Sequence, residues 1–257
     1  MSVSERQPSV LIPIAPGTNR NDEMALAFEA AGAVTVQMPL EAIRGGETTL
    51  DRHQILALPG GFSYGDALGA GRLLGLDLRG WFEDQLQAAR EAGLLVIGVC
   101  NGFQALVHAG LLPGVAEVDA ALVANDHGRF ECRWVWLQPV SKTSVWTAEL
   151  AEPLWCPIAH GEGRFVTSDS DRIVEADQVA FRYADRDGQQ AHGTFPANPN
   201  GSTDDIAGIC DPSGLVLGMM PHPEDHVFAR QQLHRRRPNG NRCLPLFAAG
   251  VRAVADG

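Results

Sequence analysis

The first half of the chain alternates short apolar runs with segments of helical periodicity. The apolar runs have the length of strands and lie at 10–15, 35–38, 55–58 and 94–98. Between and after them, helix formers with helical apolar spacing lie at 22–31, 79–91 and 102–109. Strands that alternate with helices at short spacing predict a parallel, doubly wound sheet. Within the first run, Pro13 favours an edge strand or a bend, because proline cannot donate to a ladder.

The second half has a different pattern. Residues 130–136 alternate with a period of two, and the runs 206–210 and 215–219 flank the turn 211–214 and predict a hairpin. Polar residues and turn formers at 184–204 predict a long loop. We find no repeat and no long linker. The pattern therefore predicts one α/β domain with three layers: a mostly parallel open sheet flanked by helices, with a small antiparallel extension.

Composition and charge narrow the functional classes. The chain has 257 residues, and 31 acidic against 20 basic side chains give a net charge of −11. An acidic protein is a poor binder of nucleic acid or of an anionic membrane. The basic run 234–237 is too short to change this, and we interpret it as solvated surface.

The cysteines and the termini bear on the compartment. There are five cysteines, an odd number, with no CxxC pair, which argues against a disulfide framework and a cysteine-rich zinc site. The N-terminus lacks a signal-peptide pattern, and no apolar run approaches the roughly 18 residues of a membrane span. We therefore expect a cytoplasmic protein with reduced thiols, four of them structural and one, Cys100, chemically active.

Cys100 lies in the most informative local pattern, LLVIGVCNGFQAL at 94–106. A strand is followed by Gly-x-Cys-x-Gly and then by a helix, which is the form of a nucleophile elbow. The glycines permit the sharp turn, and the helix N-terminus favours a thiolate. The backbone N–H of Asn101 is suitably placed to help hold an oxyanion. A buried structural cysteine is the competing interpretation.

A cysteine nucleophile needs a base and a group that orients the base. His222 and Glu224 directly follow the apolar strand 215–219 in the sequence GMMPHPE. Pro223 favours an extended His222, so residues 222 and 224 are expected to face one side at the carboxyl end of a strand. His226 lies four residues after His222, but Pro223 argues against a helical metal pair, and we predict no metal site. His53 and His108 are interpreted as structural.

Several segments in one order resemble the glutaminase subunits of phosphoribosylformylglycinamidine synthase, which are class I glutamine amidotransferases of purine synthesis. The resemblance covers nearly the whole chain and includes the N-terminal 15–33. It rests on LPGGFSYGD at 58–66, GVCNGFQAL at 98–106, PIAHGEGRF at 157–165, NPNGS at 198–202 and GMMPHPE at 218–224. It implies a flavodoxin-like fold of the class I type in a single amidotransferase domain, residues 1–257.

The resemblance also implies residue roles. Cys100 would attack the side-chain amide of glutamine, His222 would act as base and then acid, and Glu224 would orient His222. The oxyanion hole would be formed by backbone N–H groups of Asn101 and of Gly61 or Phe62. Substrate-binding positions would be Gln104, His160, Gly161 and Gly163.

Partners and cofactors follow from the same resemblance. Ammonia would pass to a separate synthetase subunit that uses ATP and Mg²⁺ to make formylglycinamidine ribonucleotide, and a small bridging subunit would complete the complex. This chain has no GxxxxGK[ST] phosphate loop, so no cofactor is expected in this subunit.

Two departures and two alternatives remain. Arg20 stands where the family often has Cys, and Asp225 stands where Arg is common.

A peptidase or γ-glutamyl hydrolase could use the same elbow, and an inactive interaction subunit could keep the fold. The segments GGFSYGD and HGEG, together with Gln104, favour free glutamine, and the intact Cys100, His222 and Glu224 argue against an inactive subunit.

Overall fold

The computed structural model describes residues 7–231 and 242–255. The basic run 234–237 lies outside these residues. Eleven strands are present in the described part of the chain: β1 Ser9–Ile14, β2 Val34–Pro39, β3 Ile55–Leu58, β4 Leu95–Val99, β5 Ala120–Val123, β6 Glu131–Pro139, β7 Leu154–His160, β8 Arg164–Thr167, β9 Val179–Ala184, β10 Ile206–Cys210 and β11 Val216–Met219. The α-helices are α1 Asn21–Ala30, α2 Leu40–Arg44, α3 Arg72–Glu91, α4 Asn101–His108, α5 Ser170–Glu175 and α6 Leu244–Ala255.

Within 7–231 and 242–255, nine strands form one sheet in the order β2-β1-β3-β4-β11-β10-β9-β6-β7. The strands from β2 to β11 run parallel to their neighbours. From β11 to β7 each pairing is antiparallel. Strands β5 and β8 pair separately as a small antiparallel sheet. This arrangement confirms the predicted α/β fold class with its antiparallel extension.

The layering follows from the handedness of the crossovers. The connection from β1 through α1 to β2 moves one way across the sheet, and the connection from β3 through α3 to β4 moves the other way. Right-handed crossovers in opposite directions place their helices on opposite faces. Accordingly α1 packs with α6, whereas α3 packs with α4. The Phe28 ring of α1 meets the Phe247 ring of α6 edge-on at 5.1 Å.

Most elements predicted in the first half occur within one or two residues of their predicted bounds. Strand β3 has the predicted bounds, and α3 begins seven residues earlier than the predicted 79–91. The hairpin of β10 and β11 is also present. Of the two alternatives for Pro13, the bend stays a prediction, and the edge strand was wrong, because β1 lies between β2 and β3. Its pairing with β3 involves only Val10 and Leu11, so no ladder on that side needs the missing N–H.

Several elements were not predicted, namely α2, β5, β7, β8, β9, α5 and α6. The loop predicted at 184–204 is irregular as expected, from the end of β9 to a short turn at 203. Among the described residues, no helix is both long enough and apolar enough to cross a membrane.

Candidate active site

Cys100 occupies a strained turn between β4 and α4. Its φ of 50° and ψ of −106° lie in a region that side-chain-bearing residues rarely adopt. Its backbone N–H donates to Met219 O of the neighbouring β11 at 2.8 Å, and its carbonyl accepts from Gln104 N at 3.0 Å. Gly102 is needed here, since a Cβ at that position would lie 2.1 Å from Leu58 O. The turn therefore fixes the thiol at the carboxyl end of β4.

His222 and Glu224 reach the same sheet edge from β11. Strands β4 and β11 are neighbours with Val99 opposite Met219. Beyond β11 the chain turns through a 3₁₀ segment, Pro223–His226, and the His222 N–H donates to Pro157 O at 2.8 Å. The Nδ1 atom of His222 lies 2.7 Å from Oε1 of Glu224, and both side chains are almost fully buried.

Charge pairing determines the protonation of His222. Burial disfavours the cationic ring, but the carboxylate of Glu224 and the thiol of Cys100 outweigh burial and raise the pKa of His222 well above its ordinary value. The imidazole thus interacts with Cys100 on one side and with Glu224 on the other. A charged imidazole beside a thiol is the arrangement that activates a cysteine nucleophile.

The loop after β3 approaches this pair closely. A Cβ on Gly60 would lie 2.6 Å from Cε1 of His222, so the ring occupies the space that a side chain would need. The N–H of Phe62 donates to Gly17 O at 3.1 Å. Because the Phe62 N–H is already bonded, Gly61 is the more suitable of the two alternatives, and an oxyanion hole formed by Gly61 and Asn101 stays a prediction.

Gln104 connects the elbow helix to the HGEG loop. Its Oε1 accepts from the Asn101 side chain at 3.2 Å, and its Nε2 donates to Glu162 O at 2.6 Å. Asn101 also accepts from Ser63 N and donates to Asp66 Oδ1. The predicted substrate contact of Gln104 stays a prediction, because its amide already bridges two protein groups.

His160 lies at the end of β7, buried beside the HGEG loop. Its Nδ1 lies 3.1 Å from Oδ1 of Asn125, an acceptor, so Nδ1 carries the hydrogen. Burial, followed by the charge of His222, lowers the pKa of His160 to about 3. A Cβ on Gly163 would lie 2.2 Å from Nδ1 of His160, so a glycine is required there. The Nε2 atom of His160 has no partner in the described structure.

Two asparagines that support this loop were missed by sequence reasoning. Asn125 donates to His160 O at 2.9 Å and accepts from Gly163 N at 3.2 Å. Its backbone N–H donates to Gly161 O at 2.9 Å. Asn200, in the NPNGS segment, donates to Gly163 O at 2.8 Å. That segment carried the family resemblance but no assigned role, and buried asparagines in loops were the only signal available.

The two positions that depart from the family pattern are in contact. Nη2 of Arg20 lies 2.5 Å from Oδ2 of Asp225, and Nη1 lies 3.0 Å from Oε1 of Glu23. Arg20 precedes α1, and its Cγ would lie 3.5 Å from a Cβ on Gly60. The pair therefore borders the site on the side of the Gly60 loop.

Donor atoms of His222, Glu224 and Asp225 lie within 4.8 Å of one another. Their partners are already assigned, since His222 pairs with Glu224 and Asp225 pairs with Arg20. His226, by contrast, directs Nδ1 at Trp155 O, 2.5 Å away. That no metal is bound stays a prediction.

His53, His108 and the four cysteines other than Cys100 were interpreted as structural. His53 bridges Ser9 Oγ at 2.8 Å and Thr48 Oγ1 at 2.9 Å, as a structural residue does. Cys156, Cys210 and Cys243 are buried. Cys132 is exposed on β6, so the expectation of a structural role was wrong for this cysteine.

Comparisons with known proteins agree with this geometry. The profile of the CobB/CobQ-like glutamine amidotransferase domain matches residues 7–253. Phosphoribosylformylglycinamidine synthase subunit PurQ of Treponema denticola is 42% identical, over 96% of this chain and 99% of the relative. The PurQ subunit of Dehalococcoides mccartyi is 41% identical, over 96% and 92%.

A solved structure is also similar. The structure of PurLQS from Thermotoga maritima matches with a TM-score of 0.75 and 31% identity, covering 97% of this chain and 100% of that chain. The chain therefore belongs to the CobB/CobQ-like glutamine amidotransferase family and, within it, to the PurQ subunits of phosphoribosylformylglycinamidine synthase.

Proposed function

We propose that this chain is a glutaminase subunit of phosphoribosylformylglycinamidine synthase. It hydrolyses L-glutamine to glutamate and ammonia, and the ammonia serves the synthesis of formylglycinamidine ribonucleotide in purine biosynthesis. The observation that carries the proposal is the buried arrangement of Cys100, His222 and Glu224 at the ends of two neighbouring strands. The PurQ relatives, which are similar over nearly their whole length, support the choice of reaction.

The first half-reaction forms a thioester. The thiolate of Cys100 attacks the side-chain amide carbon of glutamine, and the carbonyl oxygen becomes an oxyanion that the N–H groups of Asn101 and Gly61 stabilise. The His222 imidazolium then donates its proton to the nitrogen as the C–N bond breaks, so ammonia leaves. Glu224 holds the ring through Nδ1 and stabilises its cationic form.

The second half-reaction releases glutamate. His222, now neutral, takes a proton from water, and the resulting hydroxide attacks the thioester carbon. The C–S bond breaks, glutamate leaves, and the thiolate–imidazolium pair is restored. His160 and the HGEG loop form one wall of the site in this proposal, and Gln104 positions that loop against the elbow helix.

The proposal includes partners that the chain itself does not contain. A synthetase subunit would use the ammonia together with ATP and Mg²⁺, and a small bridging subunit would join the two. No cofactor is assigned to this chain. The reaction is proposed to take place in the cytoplasm, where thiols such as that of Cys100 stay reduced.

The test is reconstitution with the matching synthetase and bridging subunits. We expect Cys100→Ala to lower glutamine-dependent amidine formation at least about a thousandfold, because the nucleophile is lost. Synthesis from added ammonium should continue in the same complex. Cys132→Ala, which removes an exposed thiol on β6, is the matched control and should retain full activity.

Two results would contradict the proposal. Wild-type complexes that form amidine from ammonium but not from glutamine would reject the assigned role. Substantial glutaminase activity of the Cys100→Ala complex would reject the nucleophile.

A further inference from the structure

A series of charged side chains leads from the solvent to His222 and Glu224. Glu23, Arg20 and Asp225 are joined by contacts of 3.0 and 2.5 Å, and Asp225 is the direct sequence neighbour of Glu224. Arg20 and Glu23 are each about one-third exposed, whereas the Asp225 side chain is 18% exposed. The Glu224 side chain is completely buried, and its Oε2 has no partner in the described part of the chain.

Two adjacent carboxylates in a partly buried site repel each other. Burial, followed by the charge of Glu224, raises the pKa of Asp225, and Arg20 opposes this shift. The positive charge of Arg20 also acts on Glu224 itself. If Arg20 were neutral, one of the two carboxylates would take up a proton at a higher pH.

We propose that Arg20 is a positioning residue for the catalytic reaction: its guanidinium neutralises Asp225 and so keeps an unpaired negative charge away from Cys100 and the His222–Glu224 pair. Arg20 has no contact with the thiol. It acts through Asp225 and Glu224, and its stem packs beside Gly60, against which the His222 ring also packs. Residues 20 and 225, the two departures from the family pattern, thus form one functional unit. This inference rests on the proposed catalytic roles of Cys100, His222 and Glu224.

The groups that interact electrostatically with Arg20 and Asp225, or with the Glu224 and His222 side chains beside them, come from several elements. They are Glu23 of α1, Cys100 at the elbow, Cys156 and His160 of β7, His222 beside Asp225, and Cys243 before α6. In this set Arg20 is the permanent cation, so no other group replaces its charge at high pH. The effect of its removal is therefore not compensated, and it is read on the acidic limb of the pH profile, where the thiol loses its proton.

The experiment measures how fast iodoacetamide alkylates Cys100 in the full-length chain as a function of pH, with mass spectrometry to identify the modified cysteine. Arg20→Met should raise the pH midpoint of the acidic limb by about half a unit to one unit, because the unpaired Asp225 carboxylate then disfavours a negative charge on the thiol. We expect a modest shift because Arg20 is about one-third exposed, so solvent screens its charge. Arg20→Lys keeps the positive charge, so its midpoint should lie close to that of the wild type.

The partner residue gives a change of opposite sign. Asp225→Asn removes the repelling carboxylate, so the midpoint should fall slightly. In Arg20→Met/Asp225→Asn the midpoint should return to that of Asp225→Asn, because Arg20 has no adjacent carboxylate left to neutralise. The control is Arg252→Met. Arg252 lies in α6 and forms an exposed ion pair with Glu149, so its loss should leave the profile unchanged.

A purely structural role predicts something different. If Arg20→Met lowers the rate equally at every pH, or if its shift persists undiminished in the double variant, the inference is wrong. Glutamate formation by the reconstituted complex is measured in parallel. Wild-type complexes without that activity would reject the proposed function, whereas an active wild type with no shift in Arg20→Met would reject only the role of Arg20.

Discussion

At the scale of single residues, the site combines one strained backbone with three side chains of matched charge. Cys100 has a positive φ that is held by hydrogen bonds to β11 and α4. His222 is cationic because Glu224 and the thiol outweigh its burial. His160, at the end of β7, is kept neutral by burial and by the charge of His222. The pKa values of the two histidines are therefore shifted in opposite directions. Burial dominates for His160, whereas the neighbouring Glu224 and Cys100 dominate for His222.

The neutral state of His160 predicts a pH effect on stability. Its pKa is about 3 in the folded chain and about 6.5 when unfolded. As pH falls below the unfolded value, the unfolded chain binds the proton first, so the free energy of unfolding falls until pH reaches the folded value. We expect His160→Gln to reduce the slope of this free energy against pH between about 6.5 and 4.5, by up to about 1.4 kcal/mol per pH unit.

Urea unfolding at a series of pH values measures this slope. His192→Asn, a substitution of an exposed histidine in the long loop after β9, is the control. Equal slopes for wild type and His160→Gln would mean that His160 does not remain neutral in the folded chain.

The sequence predicted the residues of this site better than their contacts. Cys100 with its glycines, and His222 with Glu224, follow local patterns whose spacing has a direct steric meaning. The partners of His160 do not, because Asn125 lies 35 residues away and is brought close only by the sheet. Likewise the contact between residues 20 and 225 joins two ends of the chain.

At the scale of elements, the elbow depends on how α3 packs on α4. Helix α3 contains two glycines that face different surroundings. A Cβ on Gly75 would lie 2.6 Å from the His108 Cβ and 2.9 Å from Ala105 O, whereas a Cβ on Gly80 would meet nothing within 4 Å. Gly75 therefore allows close contact between the helices, and Gly80 contributes only flexibility.

This contrast predicts opposite stability changes within one helix. Gly75→Ala should lower the free energy of unfolding by about 1–3 kcal/mol through overpacking. Gly80→Ala should raise it by about 0.5–1 kcal/mol, since alanine restricts the unfolded chain and favours helix. Chemical denaturation of both variants measures the two changes. A Gly75→Ala protein as stable as Gly80→Ala would show that the helices separate at little cost.

Glycines also explain why the start of α3 was missed. Gly71 and Gly75 interrupt the pattern of helix formers, so the sequence indicated a helix only from residue 79. In the structure, burial of Leu74 and Leu78 offsets the weak propensity. Strand β7 was missed for a related reason, since Pro157 lies in its middle and is tolerated at the outer edge of the sheet.

At the scale of the whole molecule, the two parts of the sheet have different tasks. The parallel strands β3 and β4, with β11, present the loop after β3, the thiol of Cys100 and the imidazole of His222. The antiparallel extension, through β7, presents His160 and the HGEG loop. The loop that follows β3 has exposed apolar side chains close to the site, Phe62 at 46% and Leu68 at 75% exposure. Residues 64, 66 and 68 in that loop all have positive φ.

We expect this loop to respond to the partner subunits. Glutaminase activity of the isolated chain should be low and should rise at least about tenfold in the reconstituted complex, because a partner that covers the loop would fix the Gly61 donor. Leu68→Ser should reduce this stimulation. Steady-state glutamate formation, with and without the partners, measures the effect. Full turnover by the isolated chain would contradict the expectation.

The pairing of β4 with β11 has an evolutionary consequence. The nucleophile and its base lie 122 positions apart along the chain, from residue 100 to residue 222. In the fold they follow adjacent strands whose register sets Val99 opposite Met219. Insertions or deletions between these strands leave that register unchanged. The intervening chain is therefore free to diverge in length and to acquire new contacts, while the distance between thiol and imidazole is inherited intact.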